Sequence, residues 1–297
     1  MKQRSSVLII YNPNAMKGKV GEFLPHIRER LFLRYTVVDT IAGKSATDAE
    51  EVAFKNAPKY DIVVSLGGDG TLHQVINGVA KSNASCLVGV LPFGTCNDVA
   101  RTLGVPLNLD KALDCVLRLN TTKYDLMTDG TNYISYALAT GYLTSVAFEA
   151  KQGIKKRVGR FAYMLAGVGS LFKLRGLPFT FTLDGNTRLT DKYVYAMLIN
   201  SRYAGGFNIN KNEDVSNGKF KFVAIKKTKS LGSFFIFTRM FLHGIDAIKK
   251  SKNVIVRDVK NVVIENPSNQ PFVLDGEKLC FLKKEIKVKT TIEMITR

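Results

Sequence analysis

Three glycines and an aspartate follow a strongly apolar stretch in the first quarter of the chain. The predicted strand Asp61–Leu66 runs directly into the segment Gly67–Thr71, and a helix is expected to begin at Leu72. Glycines at such a junction leave backbone N–H groups and the positive end of a helix open to a phosphate. Asp69 would repel a phosphate unless a divalent cation lay between them, so the pattern predicts a Mg²⁺–nucleotide site. The alternative is a tight turn that Asp69 merely caps.

A second block of turn-forming residues follows the next predicted strand, Cys86–Leu91. Gly94, Thr95, Asn97 and Asp98 stand where a further helix is expected to begin. Because ligands of open α/β sheets bind beyond the carboxyl ends of the strands, this block is a candidate for the other wall of a nucleotide cleft. Taken alone, it fits a capped turn equally well.

The sequence motifs of several other kinds of functional site are missing. Ala42–Ser45 resembles the end of a P-loop, but Val38 stands where that loop needs its first glycine. GxGxxG, GxSxG and HExxH motifs are missing, and His26, His73 and His243 are too scattered to suggest a triad or a metal cluster. The four cysteines form no CxxC pair, which argues against a disulfide framework and leaves a zinc site unsupported.

The secondary structure that positions these blocks can be predicted from the sequence pattern. Over the first 130 residues, short runs rich in β-branched residues alternate with amphipathic stretches. That alternation is typical of β-α units around a mainly parallel sheet. The predicted strands are Val7–Tyr11, Tyr35–Thr40, Asp61–Leu66, Cys86–Leu91 and Lys123–Met127. The predicted helices are Val20–Leu33, Ala46–Asn56, Leu72–Lys81, Asp98–Leu103 and Asp110–Leu119.

After Gly130 the pattern changes to period-two segments separated by Gly and Asn turns, which indicates a second domain rich in antiparallel strands. The predicted strands there are Phe179–Leu183, Lys192–Ile199, Lys219–Ile225, Val254–Val256, Asn261–Ile264 and Glu285–Ile295. Helices are predicted only near Val158–Phe172 and Leu231–Ala247.

The net charge of +18 is concentrated in this second half. Residues 1–150 carry 15 Lys and Arg against 14 Asp and Glu, whereas residues 151–297 carry 28 against 11. Such asymmetry favours a polyanionic partner, either an anionic lipid surface or nucleic acid, over a lysine-rich surface that only maintains solubility. Lys155, Lys156, Arg157 and Arg160 precede the apolar segment Phe161–Phe172, and we expect this cluster to dock on an anionic bilayer.

The longest apolar stretches are about a dozen residues long, shorter than the roughly 20 that span a bilayer. The first six residues are followed directly by a predicted strand, and the apolar stretch of that strand is too short to be the core of a signal peptide. We therefore expect a cytoplasmic protein with reduced thiols.

Linked motifs make the prediction more specific. Asn12-Pro13, Gly67–Thr71 with Val75–Gly78, Pro92–Asp98 and Asp275–Glu277 occur in the order found in the soluble diacylglycerol kinases of bacteria. The chain resembles that lipid kinase family from residue 7 to residue 277. The family's catalytic domain is in turn similar to that of the sphingosine and ceramide kinases.

The change of pattern after Gly130 divides the chain into residues 1–129 and 130–297. The resemblance implies a phosphofructokinase-like α/β nucleotide-binding domain in the first part and a lipid-binding β-sandwich domain in the second. The last strand could return to the first domain, and the active site would lie in the cleft between the domains. The resemblance further implies ATP and Mg²⁺ as cofactors and diacylglycerol as the substrate, which would yield phosphatidic acid. Because of the basic second half, we expect the protein to lie peripherally at the inner face of the membrane, and the resemblance is compatible with a homodimer.

The same resemblance assigns roles to individual residues. The nucleotide would be held by Asn12, Pro13, Asn14, Thr40, Leu66, Gly67, Gly68, Asp69, Gly70, Thr71, Leu72, Gly94, Thr95 and Asn97. The catalytic Mg²⁺ would be surrounded, directly or through water, by Asp69, Asp98 and Asp125. Asp275 would be the general base for the lipid hydroxyl, with Glu277 beside it. The alternative for Asp275-Gly276 is a hairpin turn.

The chain also departs from the family pattern. The turn after Asn12 lacks the usual Ser-Gly, and Gln74 stands where relatives usually carry Glu. Asp214, Asn217 and Lys219 occupy a loop that binds a structural Mg²⁺ in some relatives, but an amide in place of a carboxylate supplies no compensating charge.

Two other functions remain open on the sequence alone. A kinase of the NAD kinase type also carries a GGDGT motif, and a nucleic-acid-binding protein would use the basic second half. The block Gly94–Asp98 favours the lipid kinase over the first, and the two glycine-aspartate blocks favour it over the second. We therefore expect no nucleic-acid partner.

Overall fold

Four parallel strands form the sheet from which the two glycine-rich blocks extend. The computed structural model describes residues 5–43, 45–141, 176–228 and 230–297. In it, β1 to β4 span Ser6–Tyr11, Val37–Ala42, Ile62–Gly67 and Leu87–Pro92 and lie side by side in the order β4-β3-β1-β2. Strands β3 and β4 are buried along their whole length, which explains their continuous apolar sequences.

Within the described residues, five α-helices belong to this region. They are α1 (Leu24–Phe32), α2 (Ala46–Asn56), α3 (Asp69–Ser82), α4 (Asp98–Thr102) and α5 (Leu109–Arg118). The predicted helix Val20–Leu33 is shorter than expected because residues 20–23 form a 3-10 turn. The α-helix begins only at Leu24, next to Pro25, a residue suited to the first helical turn because it lacks an N–H.

The remaining strands pair mostly antiparallel. They are β5 (Thr121–Thr128), β6 (Tyr133–Ile134), β7 (Ala137–Gly141), β8 (Leu177–Leu183), β9 (Thr187–Ile199), β10 (Tyr203–Ala204), β11 (Phe207–Asn208), β12 (Phe220–Lys226), β13 (Val254–Val259), β14 (Asn261–Glu265), β15 (Phe272–Leu274), β16 (Glu277–Leu279) and β17 (Lys283–Ile295). One face of the antiparallel sheet packs around Phe181. The centroid of its ring lies 5.1 Å from that of Tyr193 and 5.0 Å from that of Phe222. The predicted α/β fold followed by an antiparallel, β-rich region is confirmed.

The opposite face of β9 and β12 is covered by one apolar helix, α6 (Ser230–His243). Its Phe237 packs edge-on against Tyr195, with ring centroids 5.5 Å apart. The helix ends before the predicted limit because Gly244 adopts φ 94°, and residues 245–247 continue as a 3-10 turn. None of the helices within the described ranges is long and apolar enough to cross a bilayer.

Strand β17 links the two regions. It pairs antiparallel with β5 and with β14, and Met294 meets Val88 of β4 in parallel. Met294 and Ile295 are consequently part of the same core as β1 to β4. The predicted helix Val158–Phe172 and the basic cluster at Lys155, Lys156, Arg157 and Arg160 lie outside the described residues.

Gly78 of α3 determines how closely α2 and α3 approach. A Cβ atom at Gly78 would lie 2.3 Å from the Glu50 carbonyl oxygen and 2.5 Å from Ala53 Cβ. We predict that Gly78→Ala lowers the free energy of unfolding by about 1–3 kcal/mol, because overpacking outweighs the gain in helix propensity. Gly70→Ala in the same helix is the matched control, since nothing lies within 4 Å of its Cβ position. Equal denaturation midpoints for the two variants would contradict this account.

Candidate active site

The two glycine-rich blocks touch at the carboxyl ends of β3 and β4. A Cβ atom at Gly94 would lie 2.5 Å from Gly68 Cα, so only glycine allows the two backbones to come this close. The Asn12 amide, at the end of β1, donates to the Leu66 carbonyl at 3.3 Å. The structure thus brings the turn after β1 and both glycine blocks to one edge of the sheet, as the sequence predicts.

The other residues expected to hold the nucleotide extend outward from this edge. Asn12 Oδ1 accepts the Asn14 amide at 2.8 Å, which folds the turn through Pro13. Thr40 lies one strand further out, in β2, opposite Ile9 of β1. The remaining predicted contacts at Gly67, Gly70, Thr71, Leu72 and Thr95 all lie in or beside the two blocks.

The Asp69 carboxylate ties the first block to the second. Its two oxygens accept the backbone amides of Asn97 and Asp98 at 2.7 and 2.6 Å, at the start of α4. Asn97 adopts φ 54°, and its side chain exchanges two hydrogen bonds of 2.9 Å with the backbone of Gly94. Burial raises the pKa of Asp69, and the charge of Asp275 raises it further, against the lowering effect of the backbone hydrogen bonds.

Asp98 joins this edge to the antiparallel region. Its carboxylate accepts the amides of Gly205 and Gly206 at 2.7 Å each, in the turn between β10 and β11. Both glycines have positive φ, which lets consecutive N–H groups face one anion. The segment around residues 200–206 therefore supplies the donors that hold Asp98.

Asp125 of β5 also has both oxygens engaged. They accept the Gly218 amide at 2.6 Å and the Thr291 hydroxyl of β17 at 2.7 Å. Gly218 belongs to the loop for which the resemblance suggests a structural Mg²⁺. In that loop Asp214 and Asn217 are exposed, and each has an oxygen that accepts local donors, so the structural Mg²⁺ site stays a prediction.

Asp275 occupies a two-residue hairpin turn between β15 and β16, with φ 45° followed by 98° at Gly276. The hairpin alternative is therefore correct as a description of the backbone. The side chain is nevertheless completely buried and accepts five hydrogen bonds. Its donors are His73 Nδ1, the amide and hydroxyl of Ser135, and the amides of Tyr136 and Ala137.

Helix α3 contacts this hairpin through two consecutive side chains. His73 Nδ1 lies 2.8 Å from Asp275 Oδ2, and Gln74 Nε2 donates to Glu277 Oε1 at 2.7 Å. Burial opposes ionisation of both partners, but the hydrogen bond and mutual charge outweigh it. The pKa of His73 therefore lies above its ordinary value and that of Asp275 below. Sequence reasoning missed His73 because its partner is 202 residues away.

Two tyrosines were also missed. The buried Tyr124 hydroxyl donates to the carbonyls of Ser135 and Asn200 at 2.8 and 2.9 Å. Burial raises the pKa of Tyr136 well above its ordinary range, and the charges of Asp275, Asp69 and Asp98 add to the effect. Tyr136 thus lies amid the acidic groups, and only the tertiary structure shows it.

The acidic residues suit a hydrated cation better than a directly bound one. Asp69, Asp98 and Asp125 already use both carboxylate oxygens with protein donors. Their remaining lone pairs can accept hydrogen bonds from metal-bound water, and Mg²⁺ usually keeps several waters. Asn200 adds a buried Oδ1 without a donor in the described part of the chain. Within those same residues, no three His, Cys, Asp or Glu side chains gather as direct metal ligands.

The fold and these blocks define a class of protein. The sequence profile of the diacylglycerol kinase catalytic domain matches residues 6–128. The predicted resemblance to the diacylglycerol kinases is therefore confirmed.

Individual relatives agree. A diacylglycerol kinase of Staphylococcus aureus (strain bovine RF122 / ET3-1) is 28% identical over 280 residues, which cover 92% of this chain and 86% of the relative. A crystal structure of a diacylglycerol kinase from Bacillus anthracis (strain Sterne) superposes with a TM-score of 0.77 at 21% identity, covering 100% of this chain and 98% of the other. A second structure from that strain, assigned to the same activity provisionally, gives 0.84 at 24% identity, with 100% and 99% covered. At these identities the two structures establish the fold alone.

Asp69 provides a test of the link between the blocks. We predict that Asp69→Ala lowers the free energy of unfolding by about 2–3 kcal/mol, because it removes two hydrogen bonds to a charged group. Amide hydrogen exchange should accelerate over residues 94–102. Asp69→Asn should lose less, since one oxygen acceptor remains. Asp110→Ala, which removes surface contacts with His26 and Arg30, is the control and should change stability by less than about 1 kcal/mol. Unchanged exchange in Asp69→Ala would refute the link.

Proposed function

We propose that the protein is an ATP-dependent lipid kinase that transfers the γ-phosphate of ATP to diacylglycerol and forms phosphatidic acid. One observation carries the proposal: the two glycine blocks and the Asp275 hairpin meet around α3. Open backbone suited to phosphates thereby lies beside a group of carboxylates. Phosphoryl transfer needs these parts, since it depends on positioning, charge neutralisation and removal of a proton from the acceptor.

In this proposal the first block and the start of α3 bind the phosphates of ATP. Gly67 to Leu72, together with Gly94, Thr95 and Asn97, line that position, and Asn12 to Asn14, Thr40 and Leu66 flank it. Asp69, Asp98 and Asp125 would hold a hydrated Mg²⁺, which would neutralise phosphate charge when bound. Glu277, exposed and hydrogen-bonded to Gln74, lies in the same hairpin as Asp275.

Phosphorylation of a lipid panel tests the proposal. Purified protein is incubated with γ-labelled ATP, Mg²⁺ and mixed micelles of diacylglycerol, ceramide or sphingosine, with NAD in a parallel reaction. We expect label in phosphatidic acid, and a rate at least about 10²-fold lower for Asp98→Asn, whose amide cannot accept both glycine amides equally. Asp110→Asn is the surface control and should keep the full rate. Label in NAD alone, or none in any lipid, would overturn the proposed function.

We further propose peripheral contact with an anionic bilayer, where diacylglycerol resides. The support is the charge excess after residue 150 together with α6. Phe235, Arg239 and Leu242 share one exposed face of that helix, with Phe235 62% and Leu242 54% exposed. The 3-10 turn that follows is succeeded by exposed Lys249 and Lys250. Apolar side chains beside cations suit the interface of an anionic membrane.

Vesicle co-sedimentation checks this contact. We predict that vesicles containing phosphatidylglycerol capture the protein more strongly than neutral vesicles, and that capture weakens as salt rises. Phe235→Ser should reduce capture, because it removes an apolar side chain from the interface. Phe54→Ser is the matched control, since Phe54 is 48% exposed on α2 in the nearly neutral half of the chain. Equal capture of both variants would exclude α6 from the contact.

A further inference from the structure

The roles above leave His73 without a chemical task. It is 4% exposed, and it follows Asp69 by four residues on α3, so both side chains lie on one face of the helix. Its Nδ1 contacts Asp275 Oδ2. An imidazole oriented by a buried carboxylate is the arrangement in which the second ring nitrogen acts as a base.

Asp275 itself is poorly placed to receive a proton directly from a substrate. Its side chain has no exposed surface, and its oxygens accept three and two hydrogen bonds, respectively. A substrate hydroxyl would have to displace one of these donors. The network also stabilises the ionised carboxylate, which makes it a weak base.

The second nitrogen of His73 is in a different position. When Nδ1–H donates to Asp275, the neutral ring presents a lone pair at Nε2. The Asn77 amide nitrogen lies 3.4 Å from Nε2, but its two hydrogens already serve the carbonyls of His73 and Tyr133 at 3.0 and 2.8 Å. Asn77 therefore holds the helix against β6 and does not occupy the lone pair.

We propose that His73 Nε2 is the atom that takes the proton from the acceptor hydroxyl, and that Asp275 is the positioning residue that orients the ring. The inference rests on the proposed function. In the step, the acceptor O–H bond breaks and its proton forms a bond to Nε2. The acceptor oxygen bonds to the γ-phosphorus, and the bond from that phosphorus to the β,γ-bridging oxygen breaks, so that ADP leaves. The imidazolium then returns its proton to water.

The charged groups around His73 determine the pH dependence. Asp275 and Glu277 face it from the hairpin, and Glu50 faces it from α2. Burial lowers the pKa of His73, but these three carboxylates together outweigh it and move the value above 6.5. Only the neutral ring accepts a proton. The rate should therefore rise with pH through a limb centred above 6.5 and level off once His73 is deprotonated.

His73→Asn separates a chemical role from a structural one. The asparagine amide nitrogen occupies nearly the position of Nδ1, so the donor to Asp275 is kept while Nε2 is deleted. We expect kcat to fall about 10²-fold or more, the usual cost of losing a general base. The rise of the rate with increasing pH should also disappear. The KM for ATP and the thermal midpoint should stay near those of the unaltered protein.

A second pair of variants tests the pH dependence of the rate without altering His73 itself. Glu50→Gln removes one of the charges that raise the pKa of His73, so the limb should shift to lower pH. Glu51→Gln, its neighbour on α2, pairs with Lys55 at the surface and is the matched control. Its limb should coincide with that of the unaltered protein.

The outcomes separate this inference from the proposed function. If the unaltered protein labels no lipid, the proposed function falls and the role of His73 falls with it. If the unaltered protein labels diacylglycerol and His73→Asn keeps its kcat or its limb, only the role of His73 is overturned. Identical pH profiles for Glu50→Gln and Glu51→Gln would overturn that role as well.

Discussion

Burial of the Asp275 charge is the constraint on which the site depends. An ionised carboxylate removed from water is tolerated only when enough donors replace its hydration. Here the donors come from α3 and from the segment that joins β6 to β7, while the carboxylate sits in the hairpin of β15 and β16. Elements far apart in the chain must therefore converge to within hydrogen-bond distance before this charge is stable.

The other site carboxylates follow the same rule. Asp98 is carried by the α/β region and held by Gly205 and Gly206 of the antiparallel region. Asp125 is held by Gly218 and by Thr291 of the last strand. Each acid thus contributes negative charge to the site and also joins two parts of the fold. Burial is the main reason why the pKa of Asp69 is raised, and the charge of Asp275 adds to it, so the site gains by admitting a cation.

The sequence allowed prediction of whatever depends on local pattern. The parallel strands, most helices and the meeting of the two glycine blocks follow from apolar periodicity and from where glycines end a strand. Partners that depend on tertiary pairing could not be predicted. His73 resembles any helical residue until the hairpin packs on α3, and Tyr136 gains its acidic surroundings only when β7 pairs with β15. Helix ends were also inexact, because Pro25 and Gly244 act through backbone geometry that periodicity does not show.

The pairing of β17 has a consequence for dissection of the protein. This strand closes the core of β1 to β4 through Met294 and Ile295, and it covers the edge of β5 along eight paired positions. A fragment cut to residues 6–128, the range of the catalytic-domain profile, would contain both glycine blocks but expose that edge and an incomplete core. Open edges recruit other chains. The residues that match the catalytic-domain profile are therefore fewer than those that the chain needs to fold cooperatively.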